Sequence, residues 1–276
     1  MGHRRTAERV SFRLCGCSRR QRDGVTGGTV PGMIGLPEGI TACLFDLDGV
    51  LTGTAALHRE AWKQTFDAFL RERDGADFQP FTDHDYAAHV DGRPRADGVR
   101  EFLSSRGIEL PEGEPGDRPG TGTVNGVGNR KNDLVLKIIS ERGVSPYPGS
   151  ARYLRAAQDA GLAIGVVTSS ANGEAVLEAA ELTPFVRARI DGKVLADRGL
   201  RGKPAPDSFL AGAEALGVQP AHAAVFEDAL AGVEAGKAGE FGYVVGVNRA
   251  DQAEELRAHG ADVVVGDLAE LLEDGR

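Results

Sequence analysis

From Ile40 onward, short apolar runs alternate with amphipathic segments, and this alternation leaves few folds open to the chain. The runs ACLFD (42–46), LAIGVVT (162–168), AAVFE (223–227), GYVVGV (242–247) and DVVV (262–265) are short, rich in Val and Ile, and bounded by Gly or charge, as buried strands are. Between them, GSARYLRAAQDAG (149–161), NGEAVLEAAEL (172–182), PDSFLAGAEALG (206–217), DALAGVEAGKAG (228–239) and AEELRAHG (253–260) read as amphipathic helices. Strand and helix in strict alternation imply right-handed βαβ units and an α/β fold with a doubly wound, Rossmann-like parallel sheet. In such sheets ligands bind beyond the carboxyl ends of the strands. The residues that follow each strand are therefore the first candidates for chemistry.

One segment breaks the pattern. Residues 55–137 carry helical patterns such as HREAWKQTFDAFLRER (58–73) and DGVREFLSSRG (97–107) with no strand among them. This predicts a helical cap domain inserted at 55–137 into a core domain made of 37–54 and 138–276. Within the insertion, LPEGEPGDRPGTGTVNG (110–126) is dense in Gly and Pro and is expected to be an exposed loop.

With 276 residues, 41% of them hydrophobic and 26% charged, the chain can bury a sizeable core, and it has no apolar stretch long enough to span a membrane. Three cysteines make no disulfide or ligand framework, which suits a reducing compartment; the expectation is a cytoplasmic, monomeric protein with no membrane partner. Cys43, inside an apolar run, is read as a core residue. Residues 1–32 hold seven Arg against Glu8 and Asp23, leaving 25 Lys and Arg against 39 Asp and Glu in the remainder. So acidic a body disfavours nucleic acid as a partner. The basic leader, residues 1–36, is expected to be disordered, and it lacks the apolar region of a secretory signal. Met33, the only methionine after Met1, is a candidate natural start, which would make residues 1–32 an extension.

Asp46 and Asp48 follow the first strand two residues apart, and their like charges repel unless a cation or a shared proton relieves them. Thr168, Ser169, Ser170 and Asn172 follow the second strand; Lys203 precedes a helix in GKPAPD; Glu227 and Asp228 end AAVFED. Taken singly, each has an ordinary explanation: a turn, a helix cap, a surface lysine, a solvated acid pair. The first motif is not a calcium loop, because Val50 stands where a third ligand belongs. Together, in this order and each at a strand end, they form a pattern.

That pattern resembles the haloacid dehalogenase superfamily of phosphotransferases: Asp-x-Asp-Gly, then Thr or Ser, then Lys, then paired acids. The resemblance covers Ile40 to Leu272. It implies that Asp46 is the nucleophile toward a phosphoryl group and Asp48 the acid and base that exchanges a proton with a sugar hydroxyl. It further implies that Mg²⁺ is held by Asp46, Asp228 and the Asp48 carbonyl, with Glu227 either ligating the metal or orienting Asp228. Thr168, Lys203 and the amides that follow would stabilise the phosphoryl oxygens.

Within the superfamily, DLDGVLTGTAALHREAW, VDGRPRADGVREFL, NRKND, TSSANG and GKPAPDSF resemble the β-phosphoglucomutase branch. By that likeness Arg95 grips the phosphate that is not being transferred, and Lys131, Ser170 and Asn172 contact the sugar phosphate. His58 couples cap closure to Asp48. Thr54, Trp62, Gly92 and Ser169 complete the expected substrate-binding set. Asp91 and Ala171 stand where members of the branch carry Lys, so two phosphate-adjacent cations are absent here.

The reaction implied is interconversion of β-D-glucose 1-phosphate and D-glucose 6-phosphate through an aspartyl-phosphate, with a sugar bisphosphate as activator. A Mg²⁺-dependent sugar-phosphate phosphatase is the alternative, and a non-catalytic phosphosugar-binding protein a third reading. The retained set Asp46, Asp48, Lys203 and Asp228 weighs against the last, because a pure binder needs no pair of acids.

Overall fold

The structure, a computed structural model, describes residues 34–273; the leader expected over residues 1–36 lies outside it as far as Met33. Six strands, β1 (Ala42–Phe45), β2 (Ala163–Val167), β3 (Ala188–Ile190), β4 (Ala223–Glu227), β5 (Tyr243–Val247) and β6 (Val263–Val265), form one sheet in the order β3-β2-β1-β4-β5-β6. Every pairing is parallel.

All four residues of β1 are fully buried, which is why the strand reads as an unbroken apolar run: both faces of a parallel sheet are covered. The two-residue period divides them, Cys43 and Phe45 packing toward one hydrophobic cluster and Ala42 and Leu44 toward the other.

Four helices, α1 (Thr54–Asp74), α2 (Asp83–His89), α3 (Arg95–Ser105) and α4 (Val124–Arg142), lie between β1 and β2 in the chain. The remainder are α5 (Pro148–Asp159), α6 (Gly173–Ala179), α7 (Gly192–Arg198), α8 (Asp207–Leu216), α9 (Leu230–Ala238), α10 (Ala253–Ala258) and α11 (Glu270–Glu273). Tyr153 and Leu154 of α5 with Val176 and Leu177 of α6 fill one face of the sheet, and Leu195 of α7, Phe209 and Leu216 of α8 and Ala235 of α9 fill the other.

The inserted helices own a separate apolar cluster in which Phe66 stacks on Trp62 at 4.9 Å and meets Phe102 at 4.3 Å, while Phe81 meets Phe102 edge-on at 4.8 Å. Each such aromatic pair contributes about 1 kcal/mol beyond the burial of its area.

Two domain boundaries differ from expectation. Ile34 and Leu36, assigned to the leader, are buried in the core, and the Tyr153 hydroxyl donates to the Ile34 carbonyl at 2.9 Å. The order of the fold thus begins at Ile34, ahead of residue 37. Helix α4 runs through residue 137 to Arg142, so the second junction of the insertion lies in the stretch from Gly143 to Tyr147. Strand β3 and helix α7 had no counterpart in the sequence reading. Of the loop expected over 110–126, residues 111–122 are mostly exposed, whereas 124–126 form the start of α4 with Val124 and Gly126 buried.

The direction of winding reverses between β1 and β4, since the chain fills one side of β1 with β2 and β3 before crossing to β4. A crevice opens at such a reversal beyond the strands' carboxyl ends. Asp46 and Asp48 follow β1, and Glu227 and Asp228 end and follow β4. Among the described residues no helix is long and apolar enough to cross a membrane.

Candidate active site

At the end of β1 the Asp46 carboxylate, only 6% exposed, accepts the Asp48 amide on Oδ2 at 2.9 Å and the Lys203 ammonium on Oδ1 at 2.5 Å. Lys203 also donates to Glu227 Oε1 at 2.5 Å and to the Val167 carbonyl at 3.2 Å. Burial alone would discharge this lysine, but Asp46 and Glu227 more than offset that and hold it protonated beyond its ordinary range. For Asp46 the balance goes the other way: burial, reinforced by Glu227 and Asp48, raises its pKa well above the usual carboxylate value despite Lys203. Asp228 is raised in the same direction by burial and by the charges of Asp91, Glu227 and Asp46.

These two carboxylates are where a hard cation could be held. The Asp228 carboxylate receives no hydrogen-bond donor among the described residues, and the Lys203 charge offsets only part of what burial and the neighbouring acids do to it. Gly49, at φ +99°, lies against it: a Cβ there would stand 1.9 Å from Asp228 Oδ2. No group of three His, Cys, Asp or Glu converges into a metal cage among the described residues. A cation would therefore complete its shell with a main-chain carbonyl, water and phosphate oxygen, as Mg²⁺ does.

Asp48 is turned to a different task. Its Oδ1 accepts a short hydrogen bond from the Thr54 hydroxyl, and its Oδ2 accepts the Thr168 hydroxyl at 3.2 Å. Both carboxylate oxygens are thus engaged by hydroxyls. His58 Nε2 lies 3.7 Å from Asp48 Oδ1, and His58 Nδ1 pairs with the Lys131 ammonium at 3.0 Å. Burial and the Lys131 charge lower His58 to about pKa 4, so its ring is neutral, with Nδ1 accepting and Nε2–H directed at Asp48. Lys131 is itself lowered to about 7, chiefly by burial and further by Arg95, and its ammonium lies 5.1 Å from the centre of the Trp62 ring.

The insertion meets the sheet across a cavity of about 740 Å³ lined by Asp46, Asp48, His58, Arg95, Lys131 and Lys203, among others. Ser169 donates to the Gly92 carbonyl at 2.7 Å, and Asn172 donates to Asn132 Oδ1 at 3.1 Å. Ser170 lines the same cavity and its hydroxyl accepts the Asn172 amide at 3.2 Å. Arg95, at the start of α3, has its stem against Gly128 of α4, where a Cβ would come within 3.1 Å of Arg95 Cγ. Burial lowers the Arg95 pKa, with Asp133 opposing.

A family model described as haloacid dehalogenase-like hydrolase matches residues 40–240. The chain belongs to the haloacid dehalogenase-like hydrolase family. It is 57% identical over 247 residues to a β-phosphoglucomutase of Mycobacterium tuberculosis, covering 87% of this chain and 94% of that protein. It is 32% identical over 234 residues to the β-phosphoglucomutase of Bacillus subtilis, covering 83% and 91%. Among solved structures, CbbY from Rhodobacter sphaeroides in complex with phosphate is similar at 26% identity and a TM-score of 0.63, covering 84% of this chain and 96% of that one.

Measured against the residues that the haloacid dehalogenase-like motifs nominate, the cavity gathers nearly all, with two corrections. Glu227 is not a free metal ligand: it is fully buried, Oε1 is held by Lys203 and Oε2 by the Ala229 amide at 3.0 Å. Of the two roles open to it, orientation fits. Thr54, expected to touch substrate, is 1% exposed and bonded to Asp48 and Thr52, so it positions the acid instead. Trp62 serves both as cavity wall and as part of the insertion's aromatic core.

Sequence reasoning missed Tyr86 and Asn132, which line the cavity. Asp91, present in place of a lysine, is half-buried there with the Tyr86 hydroxyl bonded to it; burial pushes its carboxyl up to about 6.

Proposed function

We propose that this chain is a phosphomutase that interconverts β-D-glucose 1-phosphate and D-glucose 6-phosphate through a phosphorylated Asp46 and a sugar bisphosphate, with the inserted helices acting as a cap domain. The observation that carries this reading is the division between the two acids. Asp46 is paired with the Lys203 ammonium, and Asp48 is held apart by the Thr54 and Thr168 hydroxyls, with His58 Nε2 facing it at 3.7 Å. The name of the Mycobacterium tuberculosis relative supports the choice of sugar phosphate.

Asp46, Asp228 and the Asp48 carbonyl would hold Mg²⁺, which when bound offsets the charge of both carboxylates and of the phosphoryl oxygens. An Asp46 oxygen attacks phosphorus, and the bond from phosphorus to the leaving sugar oxygen breaks. Asp48 hands its proton to that oxygen and recovers one from the incoming hydroxyl in the reverse transfer. Lys203 and the Thr168 hydroxyl stabilise the charge that develops on the transferring group. Neutral His58 keeps Asp48 directed at the sugar. Arg95 and Lys131 hold the distal phosphate, and gripping it keeps the cap closed and water away from the acyl phosphate until the bisphosphate has turned around.

The test supplies purified protein with β-glucose 1-phosphate, Mg²⁺ and a trace of glucose 1,6-bisphosphate, and follows glucose 6-phosphate against inorganic phosphate. Glucose 6-phosphate without phosphate release is expected. Stoichiometric phosphate with no glucose 6-phosphate would assign a sugar-phosphate phosphatase instead.

A further inference from the structure

The loop between β5 and α10, residues 248–252, carries none of the motif residues, yet it holds both acid-bearing loops. Arg249 Nε donates to the Gly49 carbonyl at 2.8 Å, and Gln252 Nε2 donates to the Asp228 carbonyl at 2.8 Å. Gly49 belongs to the loop of Asp46 and Asp48, and its Cα lies directly against the Asp228 carboxylate. One short segment thus grips the main chain on each side of the gap in which the two carboxylates face the cavity.

The grip is itself anchored. Arg249 Nη1 donates to the Gly266 carbonyl at 2.9 Å, and the guanidinium lies 3.9 Å from the centre of the Tyr147 ring. Tyr147 ends the return junction of the insertion, where its amide donates to the Leu51 carbonyl at 3.0 Å and Pro146 bridges to Thr52. At the loop's other end, Asn248 Oδ1 accepts the Gln252 amide at 2.9 Å, and the Asn248 amide donates to the Val265 carbonyl at 2.8 Å. The planar, many-donor guanidinium suits this use, since it can reach two carbonyls and a ring face at once.

We infer that Arg249 and Gln252 are positioning residues that fix the distance between the Asp46 loop and the Asp228 loop, and so set the chain's affinity for a divalent cation. The inference rests on the reading of Asp46 and Asp228 as that cation's carboxylates. Neither residue lines the cavity. Both act through backbone carbonyls, as outer-shell partners of a metal site do, and removing such partners commonly costs about 10- to 100-fold in metal affinity.

The experiment is a Mg²⁺ titration of the thermal midpoint of the full chain, with no sugar phosphate present, for the parent, Arg249→Met, Arg249→Lys and Gln252→Leu. Methionine preserves most of the packed stem while deleting every donor. The half-saturating Mg²⁺ concentration should rise about tenfold or more in Arg249→Met and by a smaller factor in Gln252→Leu, with Arg249→Lys falling between Arg249→Met and the parent. In turnover assays the same order should appear in the Mg²⁺ requirement, with KM for the sugar phosphate within about twofold. Gln252→Leu removes one side-chain bond at a half-buried position, and it decides the matter if Arg249→Met does not fold. Variants that saturate at the parent's Mg²⁺ concentration would overturn the positioning role while leaving the cation assignment intact. A parent that shows no Mg²⁺-dependent stabilisation would overturn both. Because the titration contains no substrate, its outcome does not depend on which sugar phosphate is turned over.

Discussion

The two walls of the cavity follow opposite electrostatic plans. On the wall contributed by the sheet, Lys203 lies between Asp46 and Glu227, so its charge is met inside the protein and held there. On the wall contributed by the insertion, Arg95 and Lys131 are both lowered by burial, and the nearest partner of Lys131 is the neutral ring of His58. The Lys203 contacts of the first wall are in place before any ligand arrives, as preorganised stabilisation of a reaction requires. The second holds cations that burial weakens and that Asp48 and Asp133 support only in part, so an anionic ligand would stabilise them further. Substitutions on the sheet wall should therefore abolish chemistry, whereas those on the insertion wall should alter which ligand is held and at what pH.

The largest effect is expected at Asp46. Asp46→Asn keeps the acceptor for the Asp48 amide but removes the nucleophile, and turnover should fall by on the order of 10⁴-fold or more with the fold preserved by circular dichroism. Near-normal kcat in this variant would break the proposed mechanism at its first step. Asp48→Asn should cost about 10²- to 10⁴-fold in mutase turnover, the usual range for a lost acid-base group. It should still allow slow phosphorylation of Asp46 by an acyl phosphate, whose leaving group needs no proton. Equal loss with both phosphate donors would mean that Asp48 does more than transfer protons.

Arg95 sharpens the contrast between the walls. A charge-assisted guanidinium–phosphate contact contributes about 1.5–3 kcal/mol, so Arg95→Ala should lower mutase kcat/KM by about 10- to 100-fold. Hydrolysis of a small acyl phosphate, which has no distal phosphate to grip, should change by no more than about threefold if the assignment is right. Parallel loss in both reactions would place Arg95 with the sheet wall's machinery.

The same division governs what could be read from the sequence. Five strands were legible because a parallel sheet buried on both faces writes each strand as an apolar run. β3 was not, since it is three residues of an edge strand whose centre is Arg189, a residue paired with Glu174 and Asp191. The acids of the sheet wall were legible because the fold sets them just past strand ends, where spacing and order survive in one dimension. Arg249 reaches Gly49 across 200 residues of chain, and no local pattern marks such a contact. Thr54 and Glu227 were located by motif, but Thr54 was assigned to the substrate and the role of Glu227 stayed open, because burial and hydrogen-bond partners decide between touching a ligand and orienting a neighbour.

The smallest and most specific effect concerns Lys131. Its pKa of about 7, lowered first by burial and then by Arg95, means that the free protein loses this cation as pH rises through neutrality. If the protonated form is the one that binds the distal phosphate, kcat/KM, which reports on the free enzyme, should fall by about tenfold between pH 6 and pH 8 as this single proton leaves. The sign follows from lysine's chemistry: deprotonation removes positive charge, so the limb descends with rising pH. Arginine stays charged throughout this range, and Lys131→Arg should carry the activity plateau past pH 8 even if its height changes. The substrate's own phosphate ionisation is common to both proteins, so the difference between the two profiles isolates residue 131. Superimposable profiles would show that Lys131 keeps its proton in the free protein, and the insertion wall would then be less strained before ligand binding than its burial implies.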